Sequence, residues 1–180
     1  MTYCESVQQK AEDNVHRIYH DTEYGFPLKD DNELFGRLIL EINQAGLSWT
    51  TILKKKEGFR RAYANFDLQK VANFTEADRA RLLGDANIIR NKLKVNAAIV
   101  NAQRILEIQE EFGSFQNWLD EHHPQSKEDW VKLFRKHFKF VGGEIVNEFL
   151  MSTGYLKGAH NEDCPIYQKV LEQKPKWAQV

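Results

Sequence analysis

Apolar residues recur along the chain at the three- and four-residue spacing of helices, and stretches that alternate apolar with polar are nearly absent. That pattern predicts an all-α fold. Leu34, Phe35, Leu38, Ile39 and Ile42 fall on one helical face, and Asp30 or Asp31 can cap it, predicting a helix over about 33–44. Gln44, Ala45 and Gly46 stop that helix. Ser48 then caps a second amphipathic helix that turns Ile52, Leu53, Phe59 and Tyr63 inward and its lysines and arginines outward. A short helix follows at 68–74, and Thr75 with Asp78 forms a capping-box pattern for the next, ending near Gly84. Asn91 opens a long helix to Phe112 through Val95, Ile99, Ala102, Ile105, Leu106 and Ile108, with Gly113 as its stop. Ser114 caps a short helix through Trp118 and Leu119. Ser126 with Asp129 gives a second capping-box pattern, for a helix carrying Trp130, Val131, Leu133, Phe134 and Phe138. After a turn at 139–143, Ile145, Val146, Phe149, Leu150 and Met151 mark a helix ended by Gly154, and one last short helix lies in the tail. Residues 1–30 read as irregular. About nine helices with short connections, and no repeat or linker, predict one compact domain over 1–180.

Composition adjusts this picture only slightly. Hydrophobic residues at 42% and aromatic ones at 12% suffice for a core in a chain of 180 residues. A net charge of −1 and a pI near 6.6 exclude a uniformly basic nucleic-acid binder but leave room for local basic patches. No apolar run reaches the length of a membrane span, and MTYCESVQQK lacks a signal-peptide core, so a soluble cytoplasmic protein with no membrane partner is expected. The two cysteines, Cys4 and Cys164, stand near opposite ends, where a disulfide would be unusual for the cytosol.

Three groupings carry candidate chemistry. Glu41 lies three residues from Leu38, beside an apolar face, where a carboxylate is costly unless it has a partner or a task. Leu47 and Trp49 flank it at a glycine corner, and with Tyr19 and Tyr24 they suggest a pocket. Aromatic faces stack on a planar base, and a fixed carboxylate accepts hydrogen bonds from its amino edge. Taken singly, each aromatic also fits a core position and Glu41 a surface edge. The second grouping is His160-x3-Cys164, a half-site for tetrahedral zinc, which Cys4 and His20 would complete. Spacing alone fits unrelated cysteines and histidines better, and His16, His122, His123 and His137 could compete as ligands. In the third, FKFVGG joins two helices with Lys132, Arg135, Lys136 and Lys139 before or in the turn, so that free N–H groups could meet a phosphate. Arg90, Lys92 and Lys94 offer a second phosphate contact. An ordinary αα-hairpin with solvated lysines is the commoner occurrence.

Together, the strings YHDTEYGFP, LEINQAGLSWTTILKKK, NIIRNKLKV, FKFVGGEIVNEF and AHNEDCP resemble the DNA-3-methyladenine glycosylase I family, in order from Cys4 to Pro165. The order of IIRNKLK, a long helix and FKFVGG is also similar to the wider helix-hairpin-helix glycosylase superfamily. The resemblance implies a monofunctional base-excision repair enzyme that flips 3-methyladenine out of alkylated double-stranded DNA and hydrolyses its N-glycosidic bond. It implies Glu41 as the catalytic carboxylate, with Tyr19, Tyr24, Glu41 and Trp49 as the base pocket. It implies Gln44, Gly46 and Leu47 as the turn that fills the vacated gap, and Lys139, Val141, Gly142 and Gly143 in the DNA-binding hairpin. It also implies structural zinc on Cys4, His20, His160 and Cys164, stapling residues 1–30 to 155–180. YLKGAH holds no acid before His160, where many superfamily relatives carry a catalytic aspartate, so lyase activity is not expected. Tyr24 departs from the family, which often has tryptophan there, and so does His16, where an aromatic is common. A monomer is expected. The alternatives are a non-catalytic helix-hairpin-helix DNA-binding protein and a zinc-stapled helical protein for another ligand.

Overall fold

The computed structural model describes residues 1–179. Its helices are α1 (Tyr3–Gln8), α2 (Val15–Thr22), α3 (Asp31–Gln44), α4 (Trp49–Lys54), α5 (Lys56–Ala62), α6 (Leu68–Ala72) and α7 (Glu76–Leu83). They continue with α8 (Lys92–Phe112), α9 (Phe115–His122), α10 (Lys127–His137), α11 (Gly143–Ser152) and α12 (Tyr167–Glu172). Short 3-10 turns occupy Ala64–Phe66 and Lys176–Ala178, and no strand occurs among the described residues. No helix of the described residues is long and apolar enough to cross a membrane.

The expected caps form. Asp30, Ser48, Asn91, Ser114 and Ser126 each accept a hydrogen bond from a backbone N–H in the first turn that follows. Thr75 and Asp78 make both halves of a capping box, whereas Ser126 and Asp129 make only the forward half. Each such cap contributes about 1 kcal/mol by satisfying a donor the helix cannot satisfy itself.

Four expectations need correction. Residues 1–30 are not irregular: Thr2 and Glu5 form a capping box on α1, and Asn14 caps α2. Both helices are too short to show an aliphatic stripe, and their buried residues, Cys4, Val7, Tyr19 and His20, are mostly not aliphatic. The second amphipathic helix breaks at Lys55 (φ −96°, ψ 3°) into α4 and α5, and past the break Gly58 lies directly on the Asn87 carbonyl. The helix expected over 68–74 stops at Ala72. The chain therefore has twelve α-helices in its described residues rather than about nine.

Two helices organise the rest. Every residue of α3 from Leu34 to Asn43 is buried, and Asp31 at its start accepts from the backbone N–H groups of Phe115 (2.8 Å) and Gln116 (3.1 Å), capping α9 from a distance. The long α8 runs through the centre with Val95, Ile99, Ala102 and Ile105 fully buried. Two polar residues on its inner side hold turns of the surface. Lys94 is buried and its Nζ donates to the carbonyls of Asn43 (2.8 Å) and Ala45 (2.7 Å). Two turns along, Asn101 exchanges hydrogen bonds with the backbone of Lys139, at 2.8 and 3.1 Å. Lys94 also lies 6.0 Å from the centroid of the Phe140 ring. One helix thus fixes both the 44–47 turn and the 138–143 turn. Lys94 is for that reason no surface phosphate contact.

Candidate active site and metal centre

The end of α3 opens into a cavity of about 440 Å³ between α2, α4 and the start of α11. All four residues expected in the pocket line it: Tyr19, Tyr24, Glu41 and Trp49, with Gln44 at the mouth. The rings set its walls. Tyr19 meets Trp49 edge-on at 5.3 Å between centroids and tilts against Tyr24 at 5.5 Å. Behind them the buried guanidinium of Arg37 lies 5.3 Å from the Tyr19 centroid and is committed to the Ser152 carbonyl and the Glu23 carboxylate.

Glu41 is buried at 3% exposure, yet its carboxyl group makes no hydrogen bond or ion pair with any described residue. Burial pushes that group up to about pH 8; the charge of Arg37 opposes the rise and that of Glu148 adds to it. A buried polar group left without a partner costs on the order of 1–3 kcal/mol, and a charged one more. The fold keeps this acceptor open towards a cavity walled by aromatic rings. Such an arrangement suits a flat ligand with hydrogen-bond donors on one edge.

Sequence reasoning did not find three further lining residues, Tyr3, Glu144 and Glu148. The Tyr3 hydroxyl is 3.0 Å from His16 Nδ1, and His16 Nε2 is 2.6 Å from the Thr50 hydroxyl. His16 is the strut between α1 and α4 that holds this wall. The Thr2-x-x-Glu5 capping box was the available signal for placing Tyr3. Glu148 lies one helical turn after Glu144, on one face of α11, and accepts a hydrogen bond from the Tyr24 hydroxyl at 3.2 Å. Burial raises its carboxyl above the ordinary range.

Below the pocket, the expected metal ligands Cys4, His20, His160 and Cys164 converge, all buried, with ligand atoms within 4.8 Å of one another. His160 Nδ1 stands 3.1 Å from His20 Nε2, 3.8 Å from Cys4 Sγ and 3.7 Å from Cys164 Sγ, and Cys164 Sγ stands 3.7 Å from His20 Nε2. Bonds of about 2.0–2.1 Å to nitrogen and about 2.3 Å to sulfur put neighbouring ligands of a tetrahedral zinc roughly 3.3–3.8 Å apart, close to these spacings. The outer ring nitrogens settle the tautomers. His160 Nε2 donates to the Tyr24 carbonyl (2.6 Å) and His20 Nδ1 to the Asp21 carboxylate (2.7 Å), so both inward nitrogens present lone pairs. The residues present therefore fit a divalent cation. Gly25 makes the approach possible: its φ is +84°, and a Cβ there would come 2.9 Å from Ala159 and 3.3 Å from the His160 ring.

The two candidate DNA-facing turns lie on the same side of α8. Gly46 takes φ +78°, and Leu47 beside it is 39% exposed despite being a large aliphatic residue. At the other turn, Val141 is buried. Gly142 has φ −93°, and a Cβ at Gly142 or Gly143 would meet nothing within 4 Å. Neither conformation nor internal crowding calls for glycine at those two positions. The first turn of α11 has no side-chain cap.

The helical fold thus sets an aromatic and acidic pocket beside the exposed 46–48 corner and the partly buried 139–143 turn. The sequence matches the methyladenine glycosylase family over residues 9–134. The chain belongs to that family. It is 37% identical to the DNA-3-methyladenine glycosylase 1 of Escherichia coli K12 over 176 residues, covering 87% of this chain and 94% of that protein. Its fold superposes on a glutamate-to-glutamine mutant of 3-methyladenine DNA glycosylase I from Staphylococcus aureus with a TM-score of 0.79, at 34% identity, covering 92% and 97% of the two chains. A tyrosine-to-phenylalanine mutant of 3-methyladenine DNA glycosylase I in complex with 3-methyladenine gives a TM-score of 0.78, at 34% identity, covering 87% and 94%.

Proposed function

We propose that this protein is a monofunctional DNA glycosylase that excises 3-methyladenine from alkylated double-stranded DNA, acting as a monomer in base excision repair. The observation that carries this reading is the partnerless buried carboxylate of Glu41 at the end of an aromatic slot. Relatives named for this activity, at 34–37% identity over most of the chain, support it.

Methylation at N3 makes the purine cationic while it is still attached to the sugar. Cleavage of the C1′–N9 bond sends its electron pair to N9, and the base leaves neutral. Water then adds to the sugar cation and loses a proton. A leaving group of this kind needs little help from a strong general acid, so selection and positioning become the protein's task. Trp49 and Tyr19 stack on the flipped base, Tyr24 closes the slot, and Glu41 accepts from the amino edge while its charge offsets that of the base. None of the residues lining the cavity is a lysine, and Lys157, in the YLKGAH segment, is paired with Glu162 at 2.7 Å. A pocket without a lysine supports the reading of hydrolysis without a Schiff-base lyase step.

Outside the pocket, Gln44 and Leu47 enter the gap left in the stack, with Gly46 supplying the turn. The 139–143 segment serves as a helix-hairpin-helix motif: the backbone at Val141, Gly142 and Gly143 approaches a phosphate, and Lys139 adds charge. Zinc on Cys4, His20, His160 and Cys164 is structural and ties the chain ends beneath the pocket; it supplies no chemistry to the base. The test is release of bases from methylated duplex DNA. Free 3-methyladenine is the expected product. Salt-sensitive DNA binding without base release would favour a non-catalytic DNA-binding protein instead.

A further inference from the structure

We propose that Glu148, oriented by Tyr24, is a specificity-determining residue that makes the pocket select purines carrying a fixed positive charge over neutral purines of the same shape. This rests on the base-pocket reading above and adds a second recognition wall to it.

Glu41 and Glu148 line one cavity from two different helices, α3 and α11. Neither takes part in any ion pair among the described residues, and no lysine or arginine lines the cavity. The guanidinium of Arg37, 5.3 Å from the Tyr19 centroid, is held by the Ser152 carbonyl and Glu23, and no hydrogen bond or ion pair joins it to Glu41 or Glu148. Glu144 is different: it sits at the rim, its side chain 88% exposed and 3.8 Å from Lys127. Two carboxylates facing one desolvated space repel each other when both are ionised. A neutral purine entering that space removes water and leaves the carboxyl groups better off protonated, whereas a cation favours their ionised forms.

The Tyr24 hydroxyl donates to one oxygen of Glu148, which fixes the carboxylate against the wall and leaves its other oxygen for the ligand. Tyr24 itself is buried, tilted on Tyr19, and edge-on to Tyr3 at 5.7 Å. The wall is therefore a built feature of α1, α2 and α11 rather than a mobile surface acid. Glu148 stands on the helix that begins at the 139–143 turn, so engagement of that turn and the charge of the pocket share one element.

The test uses two free-base probes of equal shape and calorimetric titration of the full chain. One is the 3,9-dimethyladenine cation, and the other is neutral 3,9-dimethyl-3-deazaadenine. The wild type is expected to bind the cation more tightly, and Glu148→Gln to reduce the cation-to-neutral affinity ratio about tenfold, the scale of one charge-assisted hydrogen bond. Glutamine keeps an acceptor for Tyr24, so the wall should persist, which circular dichroism and binding of the neutral probe will report. Glu144→Gln at the rim should change the ratio less than about twofold. An unchanged ratio in Glu148→Gln, or an equal loss for both probes, overturns the proposal. Base release from methylated DNA by the wild type is read separately: charge selectivity without release contradicts the enzymatic reading and leaves this one standing.

Discussion

Two buried polar clusters sit side by side on α2, and their difference separates scaffold from site. His20 faces the cysteine and histidine cluster, and its neighbour Tyr19 faces the pocket. In the cluster of Cys4, His20, His160 and Cys164 every polar atom is accounted for. The outer nitrogens donate to Tyr24 and Asp21, and the inner ones converge with two sulfur atoms on one point. In the pocket, among the described residues, Glu41 has no hydrogen-bond or ion-pair partner and Glu148 has only the Tyr24 hydroxyl. A closed polar cluster fixes geometry. An open one, held at an energetic cost, is arranged for something that is not part of the protein. Tyr24 joins the two: its carbonyl orients a metal-site histidine, and its hydroxyl orients a pocket carboxylate.

The largest effect should come from opening the closed cluster. Cys164→Ser is expected to abolish bound zinc, read by metal analysis, and to destabilise the fold by several kcal/mol in denaturant unfolding. Pocket affinity should fall with it, because His160 and Tyr24 lose their common anchor. Unchanged zinc stoichiometry would remove this residue from the ligand set. A second, smaller effect lies in the link between the 44–47 and 138–143 turns, the proposed DNA contacts. Lys94→Met leaves the carbonyls of Asn43 and Ala45 without their donor, at a cost of about 1–3 kcal/mol. It should weaken binding to duplex DNA more than binding of free 3-methyladenine; equal losses would show that Lys94 serves the core alone.

A third effect is a pH dependence of the open cluster. The Glu41 carboxyl is raised from an ordinary 4.5 to about 8, so between those values the folded protein binds a proton the unfolded chain has released. The Glu41 contribution to stability therefore falls as pH rises from about 4.5 to about 8, while His16, His123 and His137, held below the ordinary imidazole range by burial, contribute in the opposite sense. Glu41→Gln should remove the Glu41 contribution and be the more stable protein at pH 8. Equal slopes for the wild type and Glu41→Gln across that range would mean that Glu41 is ionised throughout it.

Much of this was legible in the residues. The caps at Asp30, Ser48, Thr75, Asn91, Ser114 and Ser126 bounded six helices, because a hydroxyl or carboxylate before an apolar run has one economical place to go. The Glu41, Tyr19, Tyr24 and Trp49 pocket was legible as a carboxylate out of place beside a corner, although only the family resemblance said what would enter it. Lys94 reads from the sequence as a phosphate contact, since nothing local tells a capping lysine from a solvated one. Glu148 is hidden for a related reason. An acid on a helix next to Phe149 and Leu150 reads as the polar face, and only the return of α11 past Tyr24 brings it to the cavity. The two halves of the metal site, one from each end of the chain, stand 140 residues or more apart, so spacing could not assemble them.

The central claim is that Glu41 is kept without a protein partner so that an alkylated base can become its partner. Single-turnover release of 3-methyladenine from a duplex carrying one such lesion, compared between wild type and Glu41→Gln, tests it most directly. The account predicts release by the wild type and a rate lower by about tenfold to a hundredfold in the variant, the scale of one or two charge-assisted hydrogen bonds withdrawn from the transition state, with the fold intact. Equal rates would contradict it.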